Sequence, residues 1–151
     1  MTRATDIIKN FATGQITVIE IPWTEPELRE QVANWRWARE TAGITVGSQS
    51  VSTFREEMPV WLGMINDMSL RPGQTAAYEY KPRGGANVTL TPSQIARIYE
   101  CFAWYVSACF STERALLEMI TSGAPLDTVA AAAQDPGTWP QTSFEWNPPS
   151  P

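Results

Sequence analysis

Apolar residues recur at a helical period from Thr91 to Thr121, and this stretch organises the rest of the chain. Turning about 100° per residue, Ile95, Ile98, Phe102, Val106, Cys109, Leu116 and Ile120 fall on one broad arc, widened by Tyr99, Tyr105, Phe110 and Leu117. Ser93, Arg97, Glu100, Ser107, Ser111, Arg114 and Glu118 lie opposite. Thr91 and Gln94 have the spacing of a capping box. Pro92 stands at the first helical position, where a missing N–H costs nothing. Gly123, followed by Pro125, suits the stop. Such a helix runs about 45 Å, too long for one small core to cover evenly. Two residues break its pattern. Trp104 lies among the polar set, under a loop or tail of the same chain or against a partner. Glu113 lies inside the apolar arc, where the helix leaves the core or where an Arg meets it.

Upstream, Gln15–Ile21 alternates polar and apolar residues and is rich in β-branched side chains, which predicts a strand ended by Pro22. It is either an arm for another subunit or an edge strand of its own sheet. Asp6–Phe11 reads as one helical turn, stopped by Gly14. Thr24 and Glu27 form a second capping box with Pro26 in the first turn, opening a helix to about Ala42 that Gly43 stops. Leu28, Val32 and Trp35 share its apolar face. Trp37 points nearly opposite, among Glu30, Asn34 and Glu40, a second displaced tryptophan.

Ile44–Val46 and Ser50–Ser52 flank Gly47-Ser48-Gln49 as a tight hairpin. Thr53 and Glu56 offer a third capping box. Pro59 falls too late for that helix's first turn, so a kink or a restarted helix is expected. Arg71-Pro72-Gly73 is a turn. Ala76–Lys81 and Asn87–Leu90 read as strands joined through Pro82-Arg83-Gly84-Gly85-Ala86. After Gly123, Leu126–Ala133 is alanine-rich and suits a short helix. From Gln134 onward prolines remove any helical period, so the segment builds no core of its own. Yet it holds Trp139, Phe144 and Trp146, which predicts an extended arm lying across another surface, its own domain's or a neighbour's. On that reading, removing residues 134–151 leaves the core folded and abolishes docking.

Composition narrows the function. A hydrophobic content of 43% supports a real core, and a net charge of −5 argues against a nucleic-acid binder, which needs a basic stripe. No apolar run reaches the roughly 20 residues of a membrane span. The first residues have no secretory apolar region, since Asp6, Lys9 and Asn10 interrupt it, so synthesis in a cytoplasm is expected. Histidine is absent, which removes the commonest general base and the usual Ser/Cys–His nucleophile pairs. Arg83-Gly84-Gly85 lacks the spacing of a phosphate loop, and adjacent acids such as Glu56–Glu57 face different ways. No enzyme, cofactor or metal site is expected. Cys101 and Cys109 lie about 12 Å apart along one helix, beyond disulfide reach, and read as buried hydrophobes.

The run from about Arg36 to Ile120 resembles a domain that recurs in tailed-bacteriophage proteins, often beside tail-fibre and tail genes, and described as being of unknown function. The residues that carry the resemblance are Arg39-Glu40-Thr41-Ala42-Gly43-Ile44-Thr45-Val46, Val51-Ser52-Thr53 with Arg55-Glu56, Asn87-Val88-Thr89-Leu90-Thr91, and Ser107-Ala108-Cys109-Phe110 followed by Glu113. The chain departs from that pattern in the second hairpin, where Tyr80-Lys81 and Gly84-Gly85-Ala86-Asn87 replace a Trp-Lys pair and an Asn-Gly turn. The resemblance implies a phage origin and a virion or tail-assembly context, and offers no catalytic residues to carry over.

The expected architecture is α+β: a small domain of three helices with two short β-hairpins, a long central C-terminal helix and extended N- and C-terminal arms. The divisions are 1–23, an arm or strand; 24–122, the core; and 123–151, an Ala-rich then Pro/Trp-rich arm. The expected function is that of a minor structural protein of the virion, in the tail, baseplate or fibre-attachment region. Its contacts would be made by Trp37, Trp104, Trp139, Phe144 and Trp146 with other phage structural proteins, in an oligomer or in many copies, without nucleic acid or membrane. Two alternatives are a non-virion tail-fibre assembly chaperone and a small host-takeover factor.

Overall fold

The computed structural model describes residues 5–9, 13–73, 75–81 and 86–147, with 5–9 and 17–20 described in their backbone alone. The protein is α+β, with four α-helices and three small sheets among the described residues. Its axis is α3 (Pro92–Thr121). The cap is reciprocal: the Thr91 N–H donates to Gln94 Oε1 at 2.9 Å, and the Gln94 N–H donates to Thr91 Oγ1 at 3.3 Å. Helix α1 (Glu25–Glu40) opens on the other predicted box. There the Glu27 carboxylate accepts from the Thr24 N–H at 3.1 Å and from its hydroxyl at 2.5 Å. Those bonds favour the anion, and they hold the Glu27 carboxyl below its ordinary value.

The length of α3 is resolved by two separate cores. One gathers Ile95, Ile98, Phe102, Tyr105 and Cys109 of α3 with Trp61, the hairpin residues Ile44, Val46 and Val51, and Tyr80 and Leu90. The other gathers Leu116 and Ile120 of α3 with Leu28 and Val32 of α1 and with Val129, Ala130 and Ala133 of α4 (Leu126–Gln134). Glu113 lies on α3 between these two sets. The apolar arc of one helix therefore serves two small cores in series, and a charged residue marks the gap.

The small sheets follow the alternation. Strands β3 (Ile44–Val46) and β4 (Gln49–Val51) pair antiparallel around Gly47. Strands β5 (Tyr78–Tyr80) and β6 (Val88–Leu90) pair Tyr78 with Leu90 and lead into α3. Pro82-Arg83-Gly84-Gly85 of the predicted turn lies outside the described residues.

Two expectations are corrected. The helical turn expected from Asp6 is instead strand over residues 6–9: β1 (Thr5–Lys9) runs antiparallel to β2 (Ile16–Glu20), matching Thr5 to Glu20 and Lys9 to Ile16. The strand thus has a sequence-adjacent partner, which local patterning concealed. Residues 10 and 11 of that stretch lie outside the described residues. The alanine-rich stretch forms the short helix it suits, α4, which joins the three helices of the core. Thr53 caps no helix; its hydroxyl donates to the Glu40 carbonyl and accepts from the Gly43 N–H at 3.0 Å. It thereby ties off the end of α1, where Gly43 takes φ +88°. A 3-10 turn, Arg55–Glu57, precedes α2 (Met58–Leu70), which restarts with Pro59 in its first turn, as the position of that proline predicts.

The C-terminal segment lies across its own domain, one of the two surfaces expected for it. The Trp139 indole is 6% exposed in the second core, and its Nε1–H donates to the Ala133 carbonyl at 2.8 Å. Beyond it β7 (Ser143–Phe144) joins β3 in parallel. The Thr45 and Gly47 amides donate to the Thr142 and Phe144 carbonyls, each at 2.7 Å. Trp139 is a member of the second core, so removing residues 134–151 is expected to weaken that core rather than leave it untouched.

Candidate functional site

Two surfaces carry exposed aromatics on fixed backbone. The first is centred on Trp37 of α1, whose ring is 45% exposed. Beneath it Glu40 is 1% exposed, an expensive place for a carboxylate unless its charge is met. Arg36, one turn back, donates to it from Nη1, and Arg55 donates from Nε at 3.1 Å. Arg36 also donates from Nε to Glu113 of α3 at 3.2 Å. The charges balance within the group, two guanidiniums against two carboxylates. The guanidiniums do a second job: Arg36 lies 4.5 Å from the Phe110 ring centre and 5.9 Å from that of Trp37, and Arg55 lies 5.2 Å from Trp37. Beside this network opens a cavity of about 380 Å³, lined by Glu40, Thr53, Arg55, Met58, Phe102, Val106 and Phe110. Its wall is mostly apolar, with the charged rim on one side.

The second surface is centred on Trp104 of α3, 52% exposed. The C-terminal segment crosses here. Phe144 meets Trp104 edge-on, with ring centres 5.6 Å apart and planes at 79°. Arg97 donates from Nε to the Glu145 carbonyl at 3.2 Å. Trp146 packs on the first core and occupies the space a side chain at Gly47 would need. A Cβ there would lie 2.0 Å from the Trp146 Nε1. Cavities of about 430 and 310 Å³ flank Trp104, the first reaching Ser107, Ser111 and Trp139, the second reaching Arg97 and Gln141.

The five aromatics singled out in the sequence thus separate. Trp104 and Phe144 touch, and Trp146 docks nearby on β3–β4. Trp37 stands apart with Arg36, Arg55 and Phe110. Trp139 is enclosed and presents almost nothing to a partner in this conformation. Sequence reasoning missed Arg36, Arg55 and Glu40. Its one signal was Glu113 inside an apolar arc, read as the point where the helix leaves the core or as the partner of an Arg left unnamed; it lies between the two cores and pairs with Arg36.

The thiols have little reactivity to offer. Burial pushes Cys109 up to about 11 and also raises Cys101. Among the described residues no group of His, Cys, Asp and Glu is placed to hold a metal ion, and no helix is long and apolar enough to cross a membrane.

A family model, Domain of unknown function (DUF4376), matches residues 24–138. The chain belongs to this family. The DUF4376 match begins at the cap of α1 and runs through α4, so it takes in the Trp37 surface and the buried residues of both cores except Trp139, which lies just past its end. Phe144 and Trp146 lie beyond it. No curated protein and no solved structure matches the chain.

Proposed function

We propose that the protein is a minor structural component of a tailed-bacteriophage virion, made in the host cytoplasm and seated in the tail, baseplate or fibre-attachment region. It works there through contacts with other phage structural proteins and carries out no reaction. The phage setting rests on the sequence resemblance to a tail-associated domain. The mode of action rests on one observation: Trp37 and Trp104, half exposed, project from helices locked by ion pairs and capping bonds. Tryptophans of this kind are enriched among the few residues that dominate protein interfaces. Rigid presentation lowers the ordering cost of binding. Phe144 and Trp146 shape the Trp104 side of the surface, while Trp139 holds the segment in place.

Mass spectrometry of purified particles, with Trp37→Ala and Trp104→Ala variants beside the parent, tests this. The parent is expected in particles at a fixed copy number. Each variant is expected to keep its thermal unfolding and to lose about tenfold or more in incorporation. Absence of the parent protein from particles, with fibre assembly failing when it is missing, would overturn the virion role in favour of the assembly chaperone.

A further inference from the structure

The C-terminal segment divides at Trp139. Up to that residue it is held by burial, with the indole enclosed in the second core. Beyond it the hold is lighter. Residues 141–143, 145 and 147 are exposed, and Phe144 and Trp146 are half-buried. Strand β7 spans two residues. Open cavities of about 430 and 310 Å³ lie where the segment crosses α3, one lined in part by Thr138 and Pro140, the other by Gln141 and Phe144. Side chains there lack neighbours that a close-packed contact would supply.

The outer part is held as a bound peptide is held. Its backbone takes the polar contacts: the Thr45 and Gly47 amides donate to the Thr142 and Phe144 carbonyls, and Arg97 Nε donates to the Glu145 carbonyl. Such bonds accept any sequence. Selection falls to two side chains at alternate positions. The Phe144 ring stands edge-on to Trp104, and Trp146 fills the space that Gly47 leaves for want of a Cβ. Main-chain bonds for affinity and alternate side chains for specificity are the pattern of a peptide added as a strand to a sheet edge. Acceptor and occupant also separate along the chain. Thr45, Gly47, Arg97 and Trp104 lie within the residues 24–138 matched by the family model, whereas Thr142 to Trp146 lies outside them. The groove is thus built from the family's domain, and its occupant here is not part of that match.

We propose that the β3 edge, with Gly47 and Trp104, is a peptide-binding groove for an extended segment of pattern Phe-x-Trp, and that residues 142–146 are a tethered occupant which such a segment of a partner protein replaces. The partner's segment runs parallel to β3 and places aromatic rings at alternate positions. Tethering sets the threshold: the incoming segment competes with an occupant present at an effective concentration on the order of 1 mM. Displacement frees the chain only as far as Trp139, which stays in the second core. This rests on the reading of the Trp104 surface as a protein contact and names the chemistry of its partner. Peptide binding in solution and incorporation into particles are separate measurements, so either reading can fail without the other.

A labelled peptide of residues 141–147, QTSFEWN, titrated with two full-length proteins and followed by fluorescence anisotropy, tests it. One protein is the parent. The other carries Phe144→Ser and Trp146→Ser, which empties the groove and keeps the chain length. The double variant is expected to bind the peptide with a dissociation constant of about 0.1 mM or below, and the parent about tenfold or more weakly, because its own segment competes. Adding Trp104→Ala to the double variant is expected to weaken binding about tenfold, as is replacing either aromatic of the peptide by Ser. Equal binding by parent and double variant overturns the proposal. So does a double variant that takes up no peptide at about 1 mM, or an affinity indifferent to Trp104→Ala and to the peptide's aromatics. A double variant that fails to fold, judged by circular dichroism, overturns it as well, since a segment the fold cannot lose is not a replaceable occupant.

Discussion

Replacing Trp139 by Ala measures how far the C-terminal segment is part of the fold. A tryptophan buries about 150–250 Å², worth roughly 4–6 kcal/mol at about 25 cal/mol per Å² as an upper bound. Trp139 is 6% exposed, so most of that is realised. Its Nε1–H bond to the Ala133 carbonyl adds about 1 kcal/mol. Incomplete burial in the unfolded-state reference and partial collapse of the site reduce the sum to about 3–5 kcal/mol, the usual cost of truncating a core aromatic. Trp139→Phe keeps most of the ring and forfeits the hydrogen bond, so about 1–2 kcal/mol is expected. Urea denaturation followed by far-ultraviolet circular dichroism reads both, and two truncations extend the test. Ending the chain after Ala133 should cost at least as much as Trp139→Ala, whereas ending it after Pro140 should cost clearly less. A Trp139→Ala loss below about 1 kcal/mol would refute the reasoning, and the segment would then be a detachable arm.

Glu40→Ala leaves Arg36 half-enclosed with Glu113 as its remaining carboxylate, and a loss of about 3–5 kcal/mol is expected in the same denaturation assay. Arg55→Ala should cost under about 1 kcal/mol, because its side chain is 59% exposed and the pair is screened by water. Equal losses from the two would mean that Glu40 is not the hub. Stability should fall at alkaline pH. A thiol raised by burial from its ordinary value near 9 to about 11 stays protonated in the fold while the unfolded chain ionises. The contribution is intact below about pH 9 and lost as pH rises through 11, and burial shifts Tyr80 and Tyr105 in the same direction. Denaturation midpoints that stay level from pH 8 to pH 11 would contradict this. Thiol counting under denaturing, non-reducing conditions should find both cysteines free.

Features with a local physical cause were readable along the chain. The caps at Thr24 and Thr91, the glycine stops at Gly43 and Gly123 and the restart at Pro59 each depend on residues within a turn of one another. What escaped depends on residues far apart. Thr53 has the spacing of a cap with Glu56, yet its hydroxyl is taken by Glu40 and Gly43, a contact that exists only once β4 has returned to α1. Asp6–Phe11 is too short for its period to distinguish a turn from a strand, and pairing with Ile16–Glu20 decides it. Of the candidate site, the displaced rings of Trp37 and Trp104 were legible because a tryptophan on a polar face violates the helical period. The Arg36–Glu40–Arg55–Glu113 network was not, since any of several arginines satisfies a lone glutamate until the helices are placed.

The order in which the chain is synthesised bears on the segment that carries Trp139 and β7. Helix α3 and α1 are complete by Thr121, but the second core lacks Trp139, and β3 keeps an unpaired edge until Thr142–Phe144 has been made. At roughly 5–20 residues per second, the stretch from Ile120 to Trp139 takes about one to four seconds. For that interval each nascent chain holds an apolar cleft and an open strand edge, the two features that invite neighbouring chains on a polysome to associate wrongly. Conditions that slow translation across residues 120–146 should therefore lower the soluble yield of this protein more than the same delay placed upstream of α1.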